Sequence, residues 1–151
     1  MLLTTRRNSC MVACIKGAGV WSGDIWCTFD VLRTQVHTGL SAQTSGFSLW
    51  TTDVGGYSAP PNGNCDATNS SYRELIVRWF QFGVTCPIFR QHGQRDTEIW
   101  KFGDAAEAIL ADIIKWRASI KPYLHQEMVS CTRIVGGCVR ACMSVRACVR
   151  A

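Results

Sequence analysis

Asp24, Asp53 and His92 each stand in the 151-residue chain just past a short apolar run, and each carries a side chain able to do chemistry. Asp24 lies in Trp21-Ser22-Gly23-Asp24-Ile25-Trp26. Apolar aromatic walls penalise the charged form of a carboxylate, which suits a general acid. Tryptophan faces also offer flat apolar surface to a sugar ring. The plainer reading of Asp24 is a loop aspartate capping a helix that begins near Thr28. Asp53 lies in Thr51-Thr52-Asp53-Val54-Gly55-Gly56-Tyr57. Two glycines let the backbone turn sharply after the carboxylate, which can then accept hydrogen bonds from a hydroxyl-rich ligand. A turn aspartate bonded to its own backbone would look the same. His92, in Phe89-Arg90-Gln91-His92-Gly93, offers an imidazole that donates, accepts or titrates near neutral pH, or else a satisfied structural histidine.

Three strand-then-helix units would have to position these groups. The first strand is short and ends near Val20 and Trp21. The helix after it carries Phe29, Leu32, Val36 and Leu40 at spacings of three and four, with Thr28 as its cap. A second strand is expected over 47–52, with Phe47, Leu49 and Thr51 on one face and Ser48, Trp50 and Thr52 on the other. A loop rich in Gly, Pro and Asn follows. The next helix is expected after Ser71, with Glu74 completing a capping box, a stripe of Leu75, Trp79 and Phe82, and Gly83 as its stop. A third strand is expected over 84–89, against which Pro87 is an objection. Asp104 and Glu107 form a second capping-box pattern. The helix behind them carries Ile109, Leu110, Ile113, Ile114 and Trp116 and is expected to stop or bend before Pro122. Strands alternating with amphipathic helices imply an α/β fold with a parallel sheet. In a closed barrel of this kind the catalytic groups sit past the C-terminal ends of the strands. Of the six tryptophans, Trp79 and Trp116 fall on helix stripes and read as core. Trp21 and Trp50 are placed for a pocket, while His37 and His125 read as surface or packing residues.

Composition divides the chain into three. Residues 17–128 carry nine Lys/Arg and eleven Asp/Glu, a balance of −2. Residues 1–16 add +3 and residues 129–151 add +4, which accounts for the total of +5. The positive charge thus sits in two acid-free ends, and no nucleic-acid partner is expected. The last segment repeats Val-Arg-Ala at 139–141, 145–147 and 149–151 and reads as an irregular, disordered tail; a basic anchor for an acidic surface is the functional alternative. Six of the nine cysteines lie in the ends, with no zinc-ligand spacing, and only Cys27, Cys65 and Cys86 lie between them. No apolar run reaches the roughly 18 residues of a membrane helix, so no membrane partner is expected, and the compartment is left open.

Several pieces together carry a resemblance. Trp-Ser-Gly-Asp at 21–24 is followed by Ser45-Gly46-Phe47-Ser48-Leu49-Trp50 and then Asp53-Val54-Gly55-Gly56-Tyr57. Arg78-Trp79-Phe80-Gln81-Phe82-Gly83, Phe89-Arg90-Gln91-His92-Gly93 and Lys121-Pro122-Tyr123-Leu124 complete the order. This ordered set resembles the glycoside hydrolases of family 31, over about residues 17–128 and back toward Arg7. The resemblance implies a (β/α)8 TIM barrel and a retaining α-glycosidase that acts on α-glucosides or α-xylosides, with no metal or organic cofactor. It implies Asp24 as the catalytic general acid/base. It also implies Trp21, Asp53, Tyr57 and His92 as sugar-binding residues, and Arg7 as an upstream arginine on the substrate, although Asn8 to Lys16 departs from the family's pattern.

A retaining mechanism needs two carboxylates about 5–5.5 Å apart. The family's nucleophile lies well upstream of the acid/base in an Asp-x-Asn-Glu-like piece, and the 23 residues before Asp24 hold no such piece. The expectation is therefore a partial barrel, about the last three βα units, inactive alone. Its open edges would favour self-association. A carbohydrate-binding remnant and a non-functional truncated gene product are the rival readings.

Overall fold

The computed structural model describes residues 19–45 and 47–133. Its elements are β1 (Val20–Trp21), α1 (Phe29–Thr44), β2 (Trp50–Thr51), α2 (Ser70–Gly83), a 3₁₀ turn (Ile99–Phe102) and α3 (Asp104–Arg133). The strands β1 and β2 pair in parallel, with Val20 opposite Trp50 and Trp21 opposite Thr51. Parallel pairing across α1 is what a strand–helix–strand crossover requires. Arg7 and residues 134–151 of the expected tail lie outside the described residues.

The third strand is displaced from its expected position. Residues 84–86 continue the end of α2 as turns, with the amides of Val84, Thr85 and Cys86 donating to the carbonyls of Phe80, Phe82 and Gly83. Pro87 has no amide to offer a ladder. Arg117 of α3 takes the carbonyls of Val84, Cys86 and Pro87. Only beyond Pro87 does the chain lie along β2. The Ile88 amide donates to Trp50 O, the Val54 amide to Arg90 O, and Val54 and Gln91 form a parallel bridge. The extended segment therefore runs over 88–91, and His92 follows it directly.

α1 is capped as expected. Thr28 Oγ1 accepts from the Val31 amide at 3.2 Å, a contact worth about 1 kcal/mol in such positions. Its buried face differs from the expected stripe. Gln35, Gly39 and Gln43 are buried, whereas Phe29 is largely exposed and Leu32, Val36 and Leu40 are half-buried. The reason is Trp50, whose indole lies against Gly39; a Cβ there would stand 2.8 Å from its Nε1. The row over β2 must be small at its centre, and polar at Gln35, which accepts from Thr52 Oγ1 at 3.5 Å. Trp50 is therefore buried under α1, where with Gly39, Gln43 and Phe82 it lines a small void between the helices.

α2 begins two residues earlier than expected. Asn69 is its cap, accepting from the Tyr72 amide at 3.1 Å, while Glu74 pairs with Arg78 one turn on. Its apolar face makes the core. Leu75, Ile76, Trp79 and Phe80 are all buried, each contributing roughly 1.5–3 kcal/mol of transfer free energy. Phe102 and Leu110 close the other side, and Tyr72 and Phe102 meet as tilted rings 5.9 Å apart.

α3 starts at Asp104, so the carboxylate stands in its first turn and not at its cap. It passes through Pro122 to Arg133. Pro122 is exposed, and water can take the carbonyl bond that proline forgoes. Of its expected stripe only Leu110 is fully buried. Ile109, Ile114 and Trp116 are 47%, 40% and 44% exposed, so Trp116 is not a core residue. Among the described residues no helix is long and apolar enough to cross a membrane.

Candidate active site

Asp53 stands two residues past the end of β2, with its carboxyl fully buried. Arg90, on the neighbouring segment, donates from Nη2 to Asp53 Oδ1 at 2.6 Å. Asp53 Oδ2 is buried with no hydrogen-bond partner among the described residues. Burial pushes the Asp53 carboxyl above its ordinary value. The Arg90 guanidinium, at contact distance, and then His92 pull the other way, and the Asp24 charge adds to the rise. Asp53 is therefore within electrostatic reach of Arg90, His92 and Asp24. An open acceptor on a buried carboxylate, beside a cation and an imidazole, suits a ligand that donates hydroxyl hydrogens.

Two glycines carry the chain from Asp53 to Tyr57. Gly55 and Gly56 both have positive φ, +93° and +80°, and the Gly56 amide returns to Asp53 O at 2.8 Å. Tyr57 then stands with its ring 5.4 Å from that of His92, tilted by 48°. Both rings are partly open to solvent.

Three loops are stitched together around this point. From the first, Ile25 O accepts from the Tyr57 and Ser58 amides, and Ser22 Oγ accepts from the Asp53 amide. From the third, the Gln94 amide donates to Tyr57 O. The disulfide Cys27–Cys65, with Cα atoms 6.2 Å apart, ties the start of α1 to the loop before α2. The Cys27 backbone also packs on Gly56, where a Cβ would stand 2.5 Å from its N and Cα.

Asp24 follows Gly23, whose φ is +73°, and projects into solvent. Trp21 and Trp26 are about half exposed, so the flat aromatic walls expected around Asp24 stand open on this face. Of the expected residues, Tyr57 and His92 meet ring to ring, and Asp53 is held by Arg90, which was not among them. The signal was present: Arg90 lies two residues before His92 at the end of an extended segment, where alternate side chains share a face. His37 and His125 lie exposed on helices, away from this cluster. A separate groove between α2 and α3, lined by Arg73, Glu74, Phe102 and Asp104, shares no residue with the cluster.

The model of the glycosyl hydrolases family 31 TIM-barrel domain matches residues 4–127, most of the chain. The chain belongs to glycoside hydrolase family 31. Its family 31 relatives include an alpha-xylosidase of Saccharolobus solfataricus, 37% identical over 106 residues, which cover 70% of this chain and 14% of the relative. Neutral alpha-glucosidase C of Mus musculus is 32% identical over 113 residues, which cover 73% of this chain and 12% of that protein. Among solved structures, a family 31 alpha-xylosidase from a soil metagenome, complexed with xylose, superposes with a TM-score of 0.72 at 34% identity. That match covers 79% of this chain and 20% of the solved one. The chain thus spans between about an eighth and a fifth of the length of these family 31 relatives.

Proposed function

We propose that the chain is part of a retaining α-glycosidase that acts on α-glucosides or α-xylosides, built from about the last three βα units of the family's (β/α)8 barrel. Residues 17–128 make up this partial barrel, between a divergent segment 1–16 and the basic tail 129–151. Asp24 is the general acid/base, protonating the leaving oxygen and later activating water. Asp53, Tyr57 and His92 hold the sugar, with Trp21 as an aromatic wall and Arg7 as an upstream contact. The observation that carries this reading is the meeting of Asp53, Tyr57 and His92 at the C-terminal ends of parallel segments, with a buried carboxylate oxygen left open and Asp24 in electrostatic reach. In barrels, that end of the strands is where substrates bind.

The second carboxylate that a retaining mechanism requires is not in this chain's Asp-x-Asn-Glu vocabulary, since no such piece occurs in the 151 residues. On this reading the isolated chain is inactive alone, and a carbohydrate-binding remnant that binds sugar without turnover is the rival. The deciding experiment is release of 4-nitrophenol from aryl α-glucoside and aryl α-xyloside by the purified chain beside its Asp24→Asn variant. No release by a folded sample supports the reading. Release that is lost in Asp24→Asn shows that a nucleophile is supplied within the chain or by an oligomer, and overturns the inactivity. The same reading expects self-association through open barrel edges, which sedimentation would report.

A further inference from the structure

Arg95 is a half-buried cation with no carboxylate in salt-bridge contact among the described residues. Burial holds its guanidinium below its ordinary value. A guanidinium taken from water costs free energy unless its donors are used. Nη1 donates to Asp96 O at 3.0 Å, and the other two nitrogens are used on one turn. Nη2 donates to Val54 O at 2.6 Å and Nε donates to Gly56 O at 2.9 Å. The carbonyl between them, Gly55 O, accepts from Tyr72 Oη at 3.1 Å. The Arg95 guanidinium in turn sits 5.5 Å over the Tyr72 ring, a cation–π distance. Three consecutive carbonyls are therefore held from outside by two side chains. Gly55 makes room for this, since a Cβ there would run into Arg95 Nη2 and Ile76 Cδ1.

We infer that Arg95 and Tyr72 form a clamp whose role is to position Asp53 and Tyr57. The clamp grips the turn between these two residues and ties it to the loop that carries His92. A turn through two left-handed glycines has many conformations open to it. A binding constellation must be held within about 0.5 Å to keep its ligand bonds. Neither residue reaches the open Asp53 oxygen, so both act through the turn they hold. The inference rests on the sugar-site reading above.

The test uses the full chain as parent, Arg95→Met, Arg95→Lys and Tyr72→Phe. Hydrogen exchange of the Gly56 and Tyr57 amides reads the turn directly, and NMR titration with methyl α-D-xyloside and methyl α-D-glucoside reads the site. In Arg95→Met the two amides exchange about ten-fold faster or more while those of α2 and α3 do not change, and glycoside affinity falls about ten-fold. Tyr72→Phe, which frees one carbonyl, gives a smaller change of the same kind. Arg95→Lys keeps the charge but not the fork, gives an intermediate effect, and carries the test if Arg95→Met does not fold. Exchange that is unchanged, or that rises equally across the chain, overturns the clamp. So does glycoside affinity equal to the parent's in Arg95→Lys. If the parent binds neither glycoside, the sugar-site reading fails, and the exchange of the two amides alone decides the clamp.

Discussion

Asp53 and Arg90, 37 positions apart in sequence, meet at 2.6 Å, and the carboxylate is fully buried while the arginine side chain keeps 38% of its exposure. The pair is lopsided: one partner has lost its water and the other has not. Removing a carboxylate from water can cost more than a neighbouring cation returns. Asp53 follows that rule, with its carboxyl held above the ordinary value despite Arg90.

A stability dependence on pH follows. A group raised in the folded state adds stability that is complete below its unfolded value and is lost as pH rises through its folded value. Asp53→Asn removes this titration while keeping the shape. The parent's stability relative to Asp53→Asn is expected to fall as pH is raised from below the unfolded carboxylate value, 3.8, toward neutrality. Urea midpoints of both proteins across that range check it. A gap that widens in the parent's favour instead would mean that Arg90 outweighs burial.

The disulfide Cys27–Cys65 closes a loop with a sequence separation of 38 that contains α1, β2 and the whole glycine turn. Cross-linking a loop of that length restricts the unfolded chain by roughly 3–4 kcal/mol in the chain-entropy account. Cys65→Ser is expected to cost about 2–4 kcal/mol by chemical denaturation. A cost below about 0.5 kcal/mol would show that the link contributes nothing beyond the packing of Cys27 on Gly56.

Gly56 tests the same junction sterically. Its φ of +80° disfavours any L side chain, and a Cβ would stand 2.5 Å from the Cys27 backbone, which cannot swing away as a flexible side chain would. Gly56→Ala is expected to destabilise by at least about 1–2 kcal/mol, the cost of left-handed backbone alone, with more from the contact. Gly23→Ala is the control. It shares the positive φ, but no atom of the described residues lies within 4 Å of its Cβ position, so it should show the backbone cost without the contact. Equal losses in the two variants would remove the steric argument.

The local sequence determined the order of strands and helices, the Thr28 cap, and the placing of Asp24, Asp53 and His92 just past extended segments. These follow from residue type and short-range periodicity. Tertiary structure decided which faces are buried and how the segments end. α1 buries Gln35, Gly39 and Gln43 because Trp50 presses against Gly39 from another element. Residues 84–87 give up their strand because Arg117, some thirty positions later, takes their carbonyls. The partners of Asp53 and of the turn after it, Arg90 and Arg95, come from 37 to 41 positions away. Hydrogen bonds and steric contacts act across a few ångströms of space whatever the distance along the chain, so such pairings are settled only when the segments meet.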